Sequence, residues 1–340
     1  MLPNVPDLSS LYFPGQTLTV FQPSEIPPLP KRTDEGLFGT HPTVLFDRIQ
    51  RSRMETAPLE FCVEHDIRPM ANSPSFEIRL LNPLSTGTSR ERCSQVWVAT
   101  SSKFEGTKLV ARVYDPLYFD HTDTATDRFH LCNLAVATQS AVYPLLAELQ
   151  GISIARFYGV FVVEVPTPNI PPRHLYLTLS EWISGNDIRQ EMRGQKGKLT
   201  CVPHKAAILD SAARLIHEFT KRGVYWDDTA DRNTIIHLES TPSQHPFCGC
   251  TTCSFRYLLF IDRISSKANE TPSAISLEPH NLSKYAPRLS FIDLDDCRLI
   301  PTMDESLHDC RMQVSARWTA DWVQDNFLEI RGILSGASTI

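Results

Sequence analysis

The chain has 340 residues, 41% hydrophobic and 21% charged, which is enough apolar content for one large core or two of ordinary size. Its net charge of −6 lacks the basic excess of a general nucleic-acid binder, and no apolar run is long enough to span a bilayer, so neither nucleic acid nor membrane is an expected partner. The opening MLPNVPDLSS has no basic or apolar leader region, and the 9 cysteines are mostly scattered, which together suit a cytoplasmic or nuclear protein with free thiols.

Residues 1–60 carry Pro3, Pro6, Pro14, Pro23, Pro27, Pro28, Pro30, Pro42 and Pro58. This density predicts an extended or disordered arm without central strands, apart from one short helix near 44–53. Alternation then predicts three antiparallel strands, in FEIRLL, QVWVATSS and KLVARVYDP, joined by NPLSTGTSR and a turn at Glu105-Gly106. Residues 123–150 read as a helix, kinked or broken at Pro144 and capped by Gly151. Two further strands, ARFYGVFVVEV and HLYLTLSEWI, flank the proline-rich TPNIPPR. The order is β-β-β-α-β-β, and residues 61–185 form a small β-rich lobe.

Residues 186–340 read as mainly helical. A short helix is expected over 187–192 and a long amphipathic one over 204–222, ended by Gly223. YLLFID and RLSFIDLDDCRLI are strands, and an amphipathic helix is expected over 314–334. Residues 237–289 form a long insertion.

The stretch GVYWDDTADRNTII, residues 223–236, concentrates the chemistry. It follows the long helix, carries Asp227, Asp228 and Asp231, places Asn233 five positions after Asp228, and ends on Ile235 and Ile236. Asp231 reads as a solvated loop acid.

Asp228 and Asn233 match the protein-kinase catalytic-loop pattern, and the whole region 76–300 resembles the protein-kinase-like fold, most closely the divergent kinase-like proteins seen in fungi. The implied fold is α+β and two-lobed: a small antiparallel β-sheet lobe with one main helix, plus a mainly helical lobe shortened at the C-terminus. The resemblance implies that Asp228 acts as base toward a hydroxyl acceptor and that Asn233 and Asp293 hold magnesium, with Asp295 or Asp296 as a further ligand. Asp262, at a second F-I-D strand end, competes with Asp293. ATP and magnesium are the implied cofactors, and the partners are a nucleotide and a hydroxyl acceptor or protein partner.

The departures are equally specific. Trp226 and Asp227 replace the usual His and Arg, so control by a phosphorylated activation loop is not expected. Arg112 stands at the position of the phosphate-binding Lys and Gln139 at that of its Glu partner. Gly87 is the one glycine of the nucleotide loop. Ser180, Glu181 and Trp182 fall where a hinge receives adenine. Two readings follow: a divergent phosphotransferase, or a pseudokinase acting as a binding or scaffold protein.

His245, Cys248, Cys250 and Cys253 lie inside the insertion. Four soft ligands suit zinc, although the Cys-x-Cys spacing is tighter than the usual knuckle, and surface thiols are the other reading.

Overall fold

The computed structural model describes residues 11–29, 67–86, 94–118, 128–167, 171–193, 200–237, 289–295, 297–300, 306–318, 328, 330, 333 and 334. The chain divides into two compact units, Met1–Pro144 with Arg156–Trp182, and Leu145–Ala155 with Ile183–Ile340. No described helix is long and apolar enough to cross a membrane.

The first unit is built on strands β1 (Thr17–Phe21), β2 (Phe76–Ser85), β3 (Ser94–Ser101), β4 (Leu109–Tyr114), β5 (Phe157–Val165) and β6 (Arg173–Glu181). They close into a barrel in the order β1-β2-β3-β4-β6-β5, every neighbouring pair antiparallel. The five-strand sheet expected from the sequence is therefore corrected to six strands. The additional strand comes from the proline-rich segment, where Pro14 and Pro23 flank a proline-free run that alternates Leu18 and Val20 inward. By pairing with β2 on one side and β5 on the other, β1 removes both free edges. Strand β2 also runs further than FEIRLL, taking in Pro83 through register shifts at Leu80/Asn82 and Pro83/Ser85.

Leu18, Val20, Ile78, Leu80, Ala111 and Leu177 are among the side chains that fill the barrel. Helix α1 (Arg128–Leu145) covers the outer face through Cys132 and Val136, which cluster with Tyr114, Val160 and Tyr176. Pro144 does not kink α1 midway. It sits in the last turn, where a missing N–H and a fixed φ end the helix, and Gly151 (φ 74°) closes a later turn instead of capping α1.

A fully buried ion pair crosses this unit. Arg173 donates from Nη1 to Asp115 Oδ1 at 2.6 Å and from Nη2 to Oδ2 at 2.8 Å. The Tyr12 hydroxyl donates to Oδ2 at 2.8 Å, and the Leu117 amide to Oδ1 at 3.0 Å. Burial, with the Asp115 charge adding to it, holds the Tyr12 phenol well above its ordinary range.

The second unit contains β7 (Asn186–Asp187), α2 (Ile188–Glu191), α3 (Val202–Lys221), β8 (Val224–Trp226), β9 (Thr234–Ile236), β10 (Leu289–Phe291), β11 (Cys297–Leu299) and α4 (Leu307–Arg317). Asp187 caps α2 by accepting from the Gln190 amide at 2.7 Å. Helix α3 buries Ala212, Ile216 and Phe219 and stops before Gly223 (φ 72°), as the apolar spacing predicts. Helix α4 starts earlier than the expected 314–334, capped by Ser306, and its described span ends before Trp318. Its Arg311 reaches back to the fully buried Asp210 of α3, which also binds Arg214.

Removing one partner of a buried ion pair strands the other charge. Arg173→Ala is expected to lower unfolding stability by about 3–5 kcal/mol, measured by urea denaturation.

Candidate functional site

The long helix α3 stops before Gly223, and the chain then makes two short strands separated by the loop 227–233. RLSFIDLDDCRLI, expected as one strand, is corrected to two, β10 and β11, divided by a non-strand stretch of which 292–295 are described. Each pairs with a different partner. Strand β10 runs antiparallel to β9 with Phe291 opposite Thr234, and β11 runs antiparallel to β8 with Cys297 opposite Trp226. Both loops therefore leave the same strand ends, which brings Asp228 and Asn233 to the turn that carries Asp293.

Direct bonds fix this juxtaposition. The Ile292 amide donates to the Asn233 carbonyl at 2.9 Å. Trp226 donates from Nε1 to the Asp293 carbonyl at 3.2 Å. The Trp226 ring stands 4.4 Å from Phe291, which also meets Phe219 edge-on at 5.7 Å. These buried rings contribute about 0.5–1.5 kcal/mol per pair beyond their apolar area. Asp293 has φ 65°, one of two positive values among the described non-glycine residues. Such a conformation persists only where neighbours over-determine it, and it concentrates at functional sites. The next residue, Leu294, is fully buried and pins the turn.

Asn233 is buried and faces Asp228. Its Nδ2 donates to Asp228 Oδ2 at 2.8 Å and to the Asp228 carbonyl at 3.1 Å. Committing the amide nitrogen leaves Oδ1 as the acceptor end of Asn233. Arg232 makes a very close ion pair with the same Asp228 oxygen. Sequence reasoning passed over Arg232, although its offset of four from Asp228 was visible.

Asp231 is not solvated, and the sequence reading is corrected here. It is 2% exposed, and its Oδ1 takes Nε of Arg189 at 2.9 Å and Nη2 at 2.7 Å. Its Oδ2 is buried without a hydrogen-bond partner. Burial chiefly raises the Asp187 carboxyl above its ordinary range; the Gln190 amide opposes this and the Asp231 charge adds to it. Asp227 makes a close two-pronged pair with Arg298, whose guanidinium lies 4.9 Å from the Tyr225 ring centroid.

The end of α4 grips the loop from the side. Arg317 donates from Nη1 to the Asp227 carbonyl at 2.6 Å and to Thr229 Oγ1 at 3.1 Å, and from Nη2 to the Tyr225 hydroxyl at 2.9 Å. Trp318 donates from Nε1 to the Thr229 carbonyl at 2.6 Å. No motif pointed to these two residues, because their contacts span some ninety positions (88 for Arg317 and Thr229).

The residues of the first unit are placed as follows. Arg112 lies on β4 in register with Thr178 of β6, on the same face as Tyr114. Gln139 is buried on α1, on the helix face that carries Cys132 and Val136. The Glu181 amide donates to the Arg156 carbonyl at 2.8 Å and the Trp182 amide to the Lys108 carbonyl at 3.0 Å, so both N–H groups are already used. Asp295 lies in the turn after Leu294, partly exposed. Gly87, His245, Cys248, Cys250, Cys253, Asp262 and Asp296 lie outside the described residues.

Among the described residues no three His, Cys, Asp or Glu side chains gather as a metal site. Magnesium fits what is present without such a cluster. It typically keeps several waters and takes one or two protein oxygens together with substrate phosphates. The Asn233 Oδ1 and the Asp293 carboxylate, at one strand end, match that donor set.

No family model matches the chain, and no curated protein matches it. Among solved structures, "WaaP in complex with acyl carrier protein" aligns over 72% of this chain and 78% of that one, at 11% identity and a TM-score of 0.37. The PknI kinase domain of Mycobacterium tuberculosis aligns over 46% of this chain and 53% of that one, at 18% identity and a TM-score of 0.32. A double mutant of that kinase domain aligns over 47% and 55%, at 17% identity and a TM-score of 0.31. The chain thus spans about half the length of these kinase domains. These likenesses are at low identity, and two of the three are to a structure named as a kinase domain.

Arg317→Ala removes donors to Asp227, Thr229 and Tyr225 together. Amide hydrogen exchange across 225–229 is expected to accelerate, with a stability loss of about 1 kcal/mol for the hydrogen bonds lost.

Proposed function

We propose that the chain is a protein-kinase-like phosphotransferase that moves a phosphoryl group from ATP to a hydroxyl acceptor. The observation that carries this reading is the double hydrogen bond from Asn233 to Asp228, set at the strand end where Asp293 holds a left-handed conformation. Asp228 accepts the proton of the acceptor hydroxyl as its oxygen bonds to phosphorus and the bond to the leaving diphosphate breaks. Asn233 orients the Asp228 carboxylate for that transfer. Arg232 supplies positive charge beside it, where charge neutralisation is most of the catalytic work. Asn233 and Asp293 would hold magnesium, which when bound offsets the phosphate charge.

A second reading, a nucleotide-binding or scaffolding pseudokinase, is favoured by the first unit. Arg112 replaces a compact ammonium with a planar fork, Gln139 is neutral and buried, and the Glu181 and Trp182 amides are spent on the chain itself.

Thermal unfolding with ATP and magnesium separates these readings from none at all. Ligand at about a hundred times its Kd should add roughly 2.7 kcal/mol of stability. This shift is expected in the wild type and in Asp228→Asn, and is expected to shrink in Asp293→Ala. Phosphate release or transfer in the wild type, lost in Asp228→Asn, supports catalysis. A shift without turnover supports the pseudokinase, and no shift under any condition removes the nucleotide reading.

A further inference from the structure

One end of the barrel carries a group of aromatic rings that the proposed phosphoryl chemistry does not use. Phe76 begins β2, Phe104 follows β3 and Tyr158 lies near the start of β5, all at one end of the barrel, with Phe161 further in at the middle of β5. Phe76 stands nearly perpendicular to Phe104 (6.0 Å, 86°) and to Phe161 (5.3 Å, 83°). Tyr158 packs against Phe104 at 4.7 Å. Phe161 is buried, and Phe76, Phe104 and Tyr158 are partly buried, so the ring group runs from the core to the surface.

A cation lies over these rings. The ammonium of Lys103 lies 4.5 Å from the Phe76 centroid, 5.4 Å from Phe161 and 5.7 Å from Phe104. Lys103 is exposed, and among the described residues it makes no ion pair with a carboxylate. A solvent-reachable lysine with nearby acids in the sequence, Glu77 and Glu105, thus rests on three ring faces. Ring quadrupoles attract a cation most effectively when it sheds its water at little cost. A primary ammonium is strongly hydrated and meets that condition poorly. A trimethylammonium group carries the same charge with a methyl surface, and it meets the condition well.

We infer that the place over these rings now held by the Lys103 ammonium is a binding site for a trimethylammonium head group, with Lys103 as its resident substitute. The ligand displaces the flexible Lys103 side chain and sets its methyl groups against Phe76, Phe104 and Phe161. The head group arrives either on a small alcohol such as choline or on a methylated amine side chain, and these share the chemistry that the rings recognise.

Ligand-observed NMR titration of the full chain tests this with choline, Nε-trimethyllysine and the neutral choline isostere 3,3-dimethylbutan-1-ol. The wild type is expected to bind one or both of the charged ligands and not the isostere. Lys103→Ala removes the resident ammonium and is expected to bind about fivefold more tightly. Phe76→Leu keeps an apolar side chain but removes the nearest ring, and it is expected to lose binding while its thermal melt remains cooperative. The ligand that binds more tightly names the source of the head group. Failure of both charged ligands to bind wild type and Lys103→Ala would overturn the inference and leave Lys103 a structural cap on the rings. Equal binding of the neutral isostere would overturn it too, because apolar contact would then account for the affinity.

Discussion

The short antiparallel pairing of β9 with β10 is the constraint on which the candidate site depends. It is only three residues long on each side, yet it joins segments separated by more than fifty positions, as the His237 to Ser290 contact at a separation of 53 illustrates. Three-residue ladders are weak alone. This one is reinforced by the Trp226, Phe219 and Phe291 rings and by β7, which pairs with β9 from the other side. Gly185, just before β7, has no room for a side chain: an added Cβ would come within 2.7 Å of Ile235 Cγ2. The approach of β7 to β9 is therefore itself a packing requirement.

Around that ladder, charge is arranged in nearest-neighbour pairs. Asp227 faces Arg298, Asp228 faces Arg232 and Asp231 faces Arg189. Three acids in five residues would repel one another in an isolated loop. Each is matched by an arginine, and two of the three arginines come from outside the loop. Asp227 draws its arginine, Arg298, from β11, the strand that follows Asp293.

Several parts of this arrangement were legible in the sequence. Alternation in FEIRLL and KLVARVYDP revealed β2 and β4, whose inward side chains are more deeply buried than the outward ones along most of each strand, while β3 was marked by β-branched and aromatic content and is buried on both faces. The Asp228 and Asn233 spacing pointed to two residues that do meet. Other parts were hidden for identifiable reasons. Strand β1 was obscured by prolines that flank it without entering it. The burial of Asp231 depends on Arg189, 42 positions away, and no local pattern announces such a partner. The division of RLSFIDLDDCRLI rests on a left-handed aspartate, a conformation that asparagine or glycine would have advertised better. Trp318 falls inside the amphipathic helix expected over 314–334, and nothing in that pattern announces that its buried indole N–H is spent on Thr229.

Strand β1 has a consequence for where this protein can be cut. Composition places a boundary near residue 60, after the prolines, but the barrel takes its sixth strand and the Tyr12 contact to Asp115 from before that point. A fragment beginning at 61 would leave β2 and β5 with bare backbone edges and would open Leu18 and Val20's places in the core to water. Exposed edges of this kind recruit other chains. The proline-bounded segment is thus a staple of the barrel, and a shortened form would be expected to self-associate before it revealed anything about chemistry.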